Sequence, residues 1–110
     1  IVREIAPLPA ERVVWKHGYD AFFDTDIYTV LRTLGIEFTI FTGVATNYCV
    51  SSSVRGAWHR QFKPVMVSDA TGTVNQKFHE MEVKVLGYGF ARIMTTQEVI
   101  QELAARPAPV

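Results

Sequence analysis

The sequence predicts an α/β fold in which a parallel β-sheet is covered by helices. Four short runs rich in β-branched and aromatic residues begin at intervals of 26 residues, and segments with helical periodicity separate them. Glycines or capping residues stand at several of the junctions. Regular alternation of this kind is typical of βαβ units with right-handed crossovers. The four predicted strands are Arg12–Lys16, Phe38–Thr42, Pro64–Ser68 and Phe90–Met94.

The first two predicted helices follow the first two strands. The earlier helix begins at Asp24 or Thr25, either of which can cap free backbone N–H groups, and it ends before Gly35, which suits the left-handed position after a last turn. The later helix runs from about Asn47 to Arg60. Apolar residues spaced for one helix face are Ile27, Val30, Leu31 and Leu34 in the earlier helix, and Val50, Val54, Ala57 and Trp58 in the later one.

The other two predicted helices have clear boundaries. The third covers roughly Gln76–Leu86 and stops at Gly87, and the fourth opens with the capping-box spacing of Thr95 and Glu98. No second domain is visible in the sequence. We therefore expect a connector over residues 1–11, one domain over residues 12–105 and a tail over residues 106–110.

Composition excludes several classes of function. Of the 110 residues, 48% are apolar, and the eleven basic and eleven acidic side chains cancel, so no basic stripe points to nucleic acid. No apolar run approaches the length of a membrane span, and no signal peptide is recognisable. The single cysteine excludes an internal disulfide and suits a reducing compartment. We expect a cytoplasmic protein that binds neither nucleic acid nor membranes.

Cys49 is the first candidate for chemistry. It stands where an apolar strand, a glycine and a short turn lead into the second predicted helix. Unpaired N–H groups and the positive end of the helix dipole at that position favour the thiolate, which is the nucleophilic form. The small residues from Gly43 to Cys49 also allow backbone N–H groups to point at an oxyanion. The alternative is a buried structural thiol, which is common for free cysteine.

Lys16 and Asp69 join Cys49 at the predicted carboxyl ends of strands, where open parallel sheets bind ligands. A partly desolvated Lys16 ammonium can stabilise the thiolate or transfer protons. The alternative for Lys16 is a solvated lysine at a strand end. For Asp69, we favour hydrogen bonding within its own turn, Ser68–Thr71, over substrate binding.

Aromatic residues near these positions are candidates for a pocket wall. They are Trp15, Tyr19, Phe22, Phe23 and Tyr48, with ordinary core packing as the alternative for Phe22 and Phe23. The three histidines show no metal-ligand spacing. His59 and His79 fall in predicted helices, and we expect both to be exposed. The sequence therefore predicts no metal site.

Three segments resemble the isochorismatase-like cysteine hydrolases, a superfamily that includes nicotinamidases, N-carbamoylsarcosine amidases, and ureidoacrylate and biuret hydrolases. They are Lys16-x-x-x-Asp20-Ala21-Phe22-x-x-Thr25, the string Thr-Gly-Val-Ala-Thr-Asn-Tyr-Cys-Val over residues 42–50, and Val-Ser-Asp-Ala-Thr over residues 67–71. The resemblance extends from Val13 to about Leu103. It implies a three-layer αβα fold with a parallel Rossmann-like sheet of order 3-2-1-4-5-6. The four predicted strands would be the third to the sixth, with the first two missing from this chain.

The resemblance also implies roles for particular residues. Cys49 would be the nucleophile, Lys16 the catalytic lysine, and the backbone N–H groups of Ala45 and Cys49 the oxyanion hole. The Val44–Ala45 peptide would be cis. The candidate substrate pocket would comprise Trp15, Tyr19, Phe22, Thr46, Asn47 and Tyr48. The implied reaction is cleavage of a C–N bond in a small amide, carbamoyl or ureido substrate through a thioester, without a cofactor, in a homodimer or homotetramer.

The chain departs from the family pattern in two ways. Asp20 stands where the family often has serine. The catalytic aspartate, and the metal ligands of metal-binding members, would lie upstream of Ile1, so we hypothesise that the chain is the C-terminal part of a longer enzyme. One alternative is a non-catalytic fragment or assembly partner that lacks this aspartate. Another is a flavodoxin-like binding module, which does not explain Lys16 and Cys49 together.

Overall fold

The computed structural model describes residues 1–107, and within them it forms a three-layer α/β fold. The predicted tail therefore lies partly outside the described residues, at positions 108–110. A short 3-10 turn at Arg3–Ile5 precedes the main elements. These are α1 (Ile27–Thr33), β1 (Phe38–Val44), α2 (Ser51–His59), β2 (Lys63–Gly72), α3 (Gln76–Gly89), β3 (Arg92–Met94) and α4 (Thr96–Ala105).

The three strands form a parallel sheet in the order β1-β2-β3, which confirms the predicted fold class. The β1–β2 pairing is interrupted after Phe41, because Gly43 pairs with Thr71 although Phe41 pairs with Met66. The extra residues of β2 form a bulge that ends the regular pairing and changes where nearby groups point. This bulge lies at the carboxyl end of the sheet, beside the candidate site.

The run Arg12–Lys16 is not a strand, contrary to the sequence prediction. A strand is stabilised by hydrogen bonds to a neighbouring strand. Within residues 1–107 the sheet contains only β1, β2 and β3, and this run pairs with none of them. In the strand order implied by the resemblance, two further strands would separate this run from β1. All of its side chains except the half-buried Val14 are accordingly exposed, with Trp15 86% exposed.

Apolar side chains on the two faces of the sheet pack under different helices. Met66 of β2 is fully buried with Val50, Val54 and Leu86, which belong to the turn before α2, to α2 and to α3. The opposite face carries Val65 and Met94, and α4 lies over them. A second cluster, Phe22, Ala57 and Phe62, fixes the segment before α1 to α2. The core thus holds α2 rigidly at the end of β1.

Several element boundaries differ from the predictions. α3 continues past Gly87 to Gly89. Gly87 does not end the helix but lets it approach β3 closely, because a Cβ at this position would lie 3.0 Å from Ile93 Cγ1. The N–H groups of Phe90 and Ala91 both bond to Leu86 O, so these residues end α3 and do not begin β3.

Two residues predicted for buried helix faces are not buried. Leu34 is 68% exposed because α1 ends at Thr33, and Gly35 then turns the chain with φ of 69° as expected. Trp58 is 45% exposed and packs edge-on against Phe90. No helix among residues 1–107 combines the length and the apolar character that crossing a membrane requires.

Candidate active site

The turn that carries Cys49 connects β1 directly to α2. Gly43 adopts φ of 107°, and the Val44–Ala45 peptide bond is cis. A wide helical turn, Thr46–Val50, follows and runs into α2 without a break. The carbonyl oxygen of Ala45 accepts hydrogen bonds from the N–H groups of Tyr48 at 3.0 Å and Val50 at 3.1 Å. Cys49 therefore lies, half-buried, in the first turn of a continuous helical segment at the carboxyl end of β1.

Lys16 reaches this thiol from a distant part of the sequence. Its Nζ lies 3.5 Å from Cys49 Sγ and 2.8 Å from the carbonyl oxygen of Gly18. The carbonyl bond orients the ammonium and leaves it donors to direct at the sulfur. The 3.5 Å approach therefore places a cationic side chain directly beside the thiol.

Ser53 fastens the segment that bears Lys16 to α2. Its hydroxyl accepts a hydrogen bond from the Ala21 N–H at 3.0 Å and donates one to the Tyr19 carbonyl oxygen at 3.4 Å. The side chain is 6% exposed, so both bonds are largely shielded from water. Ser53 follows Cys49 by four residues and therefore lies on the same side of the helical segment. That spacing is the signal by which sequence reasoning could have found it.

Asp20, which departs from the family pattern, serves the same segment. Its Oδ1 accepts from the Phe22 N–H at 2.9 Å and so closes a turn. The same oxygen lies 2.7 Å from where a Cβ at Gly56 would be, so this turn sits directly on α2. Asp20 thus shapes the segment.

A shallow cleft of about 210 Å³ opens beside Cys49 and Lys16. Its other walls include Phe41, Thr42 and Ser53. Tyr19 and Tyr48, two of the predicted pocket residues, do not line this cleft. Their rings pack against each other, with centroids 5.3 Å apart and ring planes inclined by 39°. The cleft is small, and its walls combine apolar side chains with a few polar groups.

The structure separates the other predicted pocket residues from this cleft. Phe22 is buried in the core against Ala57 and Phe62, which matches the alternative stated for it. Trp15 projects into solvent. Thr46 is fully buried, and the Asn47 side chain accepts a hydrogen bond from the Thr73 hydroxyl at 2.8 Å. The buried Thr46 side chain and the Asn47–Thr73 hydrogen bond anchor the Cys49 turn to the rest of the fold.

Asp69 makes a different contact from the one expected. Its Oδ1 accepts from the hydroxyl and the N–H of Thr96, both at 2.7 Å, so it binds the start of α4 and not its own turn. The Thr96 hydroxyl, and after it the Thr96 N–H, lower the pKa of Asp69 below its ordinary value. This carboxylate is therefore committed to the fold.

His79 is half-buried, contrary to the expectation that it is exposed, whereas His59 is exposed as expected. The His79 ring contacts Thr46 and the carbonyl oxygen of Ser68. Sequence reasoning missed this residue although a signal exists, because His79 precedes Val83 and Leu86 at the i+4 and i+7 spacing of one helix face. Among residues 1–107, no group of three or more His, Cys, Asp or Glu side chains converges as a metal site would.

The fold and the site together define a class: a parallel α/β protein with a thiol and an ammonium paired at the carboxyl end of a strand. The model of the Isochorismatase domain family matches residues 1–98, and the chain belongs to this family. It is 44% identical over 78 residues to the ureidoacrylate amidohydrolase RutB of Agrobacterium fabrum, covering 71% of this chain and 34% of that protein. Against the protein of the same name from Variovorax paradoxus the identity is 34%, with 98% and 43% covered.

Solved structures agree with this assignment. An isochorismatase-like hydrolase from Alkaliphilus metalliredigens superposes with a TM-score of 0.89 at 31% identity, covering 93% of this chain and 56% of that one. A nicotinamidase from Staphylococcus aureus gives a TM-score of 0.72 at 27% identity, with 74% and 53% covered. The chain thus spans between a third and a half of the length of these curated relatives, and somewhat more than half of these structures.

Proposed function

We propose that the protein containing this chain is a cysteine amidohydrolase that cleaves the C–N bond of a small amide, carbamoyl or ureido substrate through a thioester. The observation that carries the proposal is the 3.5 Å approach of Lys16 Nζ to Cys49 Sγ beside a small cleft. The names of the relatives, ureidoacrylate amidohydrolase and nicotinamidase, supply the substrate class. Cys49 is the nucleophile and Lys16 the catalytic lysine.

The reaction follows from the chemistry of a thiolate beside a carbonyl carbon. Cys49 Sγ, once its proton has passed to a base, forms a bond to the substrate carbon, and the resulting tetrahedral intermediate breaks the C–N bond as the base gives that proton to the leaving nitrogen. Water then gives a proton to the same base as it attacks the thioester. The C–S bond breaks, the acid leaves, and the proton returns from the base to the thiolate. The Lys16 ammonium stabilises the negative charge on Cys49 Sγ and the negative charge that develops on the tetrahedral intermediate.

The oxyanion hole in this proposal consists of the backbone N–H groups of Ala45 and Cys49. The path of the backbone supports this part of the proposal. The residues from Ala45 to Cys49 form a tight turn, in which the Ala45 carbonyl accepts two backbone hydrogen bonds, before α2 begins. Backbone donors held in such a turn are already oriented when charge develops, so little reorganisation is needed.

The proton acceptor in this proposal is an aspartate outside these 110 residues. Within residues 1–107, the hydrogen bonds of Lys16 Nζ go to Gly18 O and Cys49 Sγ, and no carboxylate contacts it. Asp20 and Asp69 are engaged by backbone and hydroxyl donors of the fold. The proposal further includes a homodimer or homotetramer that needs no cofactor.

The test measures ammonia release by the full-length protein over a panel of small amides, carbamoyl compounds and ureido compounds. Turnover of at least one compound is expected, and Cys49→Ala should reduce kcat by about a thousandfold or more, since the nucleophile is lost. Ser52→Ala, a similar change on the same helix, is the matched control and should stay within about twofold. Equal rates for wild type and Cys49→Ala would refute the mechanism. No turnover of any compound would favour a non-catalytic role in assembly.

A further inference from the structure

His79 joins the turn that carries Cys49 to the bulged part of β2. Its Nδ1 is 2.7 Å from Thr46 Oγ1, and its Nε2 is 3.1 Å from the carbonyl oxygen of Ser68. Thr46 is the first residue of the helical turn that carries Cys49, and Ser68 lies in the bulged part of β2. One side chain of α3 thus joins the turn to the sheet.

The partners determine which ring nitrogen carries the proton. A carbonyl oxygen only accepts hydrogen bonds, so His79 Nε2–H must donate to Ser68 O. The Nδ1 atom of the neutral ring is then an acceptor, and the Thr46 hydroxyl donates to it. Because the Thr46 side chain is fully buried, its hydroxyl has no access to water as a substitute partner. The bond therefore specifies one orientation of Thr46.

The ring itself is held by the helix that carries it. His79 lies in the first turn of α3, where its N–H bonds to Asn75 O at 3.1 Å. The Asn75 side chain caps the same turn by accepting from the N–H groups of Lys77 and Phe78. Along the helix, Val83 and Leu86 pack in the core. The His79 ring is consequently a fixed support and not a mobile surface group.

We propose that His79 is a positioning residue for catalysis, which holds Thr46, and through it the backbone from Ala45 to Cys49, in the orientation that the reaction requires. This inference rests on the proposed function. The residues between Thr46 and Cys49 form a single turn, so a displacement of Thr46 moves the thiol and the adjacent N–H groups together. Misplacement of reacting groups by about 1 Å can lower a rate about a hundredfold.

The kinetic test compares His79→Phe, which fills the space without hydrogen bonds, with His79→Gln, whose amide offers both N–H donors and an acceptor oxygen. In the full-length protein, His79→Phe should lower kcat by about 10- to 100-fold while KM changes less than about threefold. His79→Gln should recover most of the loss. His59→Phe, the same change at an exposed histidine, is the matched control. Equal kcat for His79→Phe and wild type, or no recovery in His79→Gln, would overturn the proposal.

A second measurement does not depend on turnover. The amide protons of Tyr48 and Val50 bond to Ala45 O, and their hydrogen exchange reports local opening of the turn. We expect His79→Phe to speed their exchange about tenfold or more relative to amides of the β2–β3 ladder, and His79→Gln to change it little. Unchanged exchange in His79→Phe would overturn the inference even if the enzyme is active. Faster exchange in a protein that hydrolyses nothing would support His79 as the support of the turn and refute the proposed function alone.

Discussion

At the scale of single residues, the site depends on how a lysine and a cysteine 33 positions apart come within 3.5 Å. The Cys49 turn is fixed by local geometry, since it leads straight into α2. Within residues 1–107, no strand pairs with the Lys16 segment, and side-chain contacts hold it in place. Ser53 supplies the most direct of these, because one hydroxyl binds both the Ala21 N–H and the Tyr19 carbonyl.

Replacing Ser53 with alanine should therefore weaken the site and the fold together. Removing the hydroxyl leaves the two backbone groups without their partner, which costs about 1–3 kcal/mol of unfolding free energy. The Lys16 segment is then free to shift, and kcat should fall about tenfold. Denaturant unfolding and amide hydrolysis measure the two effects, with Ser52→Ala on the same helix as the control. A Ser53→Ala protein with unchanged kcat would show that the two hydrogen bonds of Ser53 do not position Lys16.

At the scale of elements, the start of α4 is held by two acidic side chains in different ways. Thr95 and Glu98 form the capping box predicted from the sequence. Asp69, from the bulged end of β2, accepts two hydrogen bonds from Thr96 and thereby connects the sheet to the helix. The Thr95 N–H likewise lowers the pKa of Glu98. Both carboxylates bind N–H groups at the positive end of a helix, where an anion is stabilised.

These lowered pKa values predict how stability depends on pH. A carboxyl whose pKa is lower in the folded state stabilises the fold above its ordinary value, which is 3.8 for Asp69, and the contribution is lost as the pH falls through the lowered value. Asp69→Asn should therefore reduce Tm by a few degrees at pH 7. It should also flatten the decline of Tm below about pH 4. Thermal unfolding from pH 2 to 7 measures both effects. Glu4→Gln, in the exposed 3-10 turn Arg3–Ile5, is the control. An equally steep acid decline in Asp69→Asn would contradict the assignment.

Also at this scale, the features that depend on local sequence patterns were predicted better than the features that depend on long-range contacts. The three paired strands and the cap of α4 followed from β-branched runs and a Thr-x-x-Glu spacing, both of which act over a few residues. The Arg12–Lys16 run has the same local pattern, yet it forms no strand because pairing needs a neighbour that residues 1–107 do not supply. The pattern around Asp69 was equally insufficient, since its partner Thr96 is brought near only by the folded sheet.

The site shows the same division. The position of Cys49 in its turn followed from Gly43 and the start of the next helix. The contact of Lys16 with Cys49 was expected from the shared sheet edge, although Lys16 arrives on an irregular segment. The roles of Ser53 and His79 were not predicted, because each looks like an ordinary polar residue of an amphipathic helix. Their roles come from backbone carbonyls and N–H groups that the tertiary fold places opposite them.

At the scale of the whole molecule, the sheet is a platform on which four separate segments meet. β1 supplies the Cys49 turn, α2 fastens the Lys16 segment, the bulge of β2 offers the Ser68 carbonyl, and α3 brings His79. The chain spans between a third and a half of the length of the curated relatives named above. In the proposed function, Lys16 and Cys49 act as one catalytic unit.

The most direct test is a double-mutant cycle on the full-length protein, measuring kcat/KM for wild type, Lys16→Met, Cys49→Ala and the double variant. Residues that act as a unit give losses that do not add. We expect kcat/KM of each single variant to fall at least about a hundredfold and that of the double variant to be no lower than that of Cys49→Ala alone. Losses that multiply, or a Cys49→Ala protein that retains its rate, would contradict the claim that this thiol and this ammonium work together.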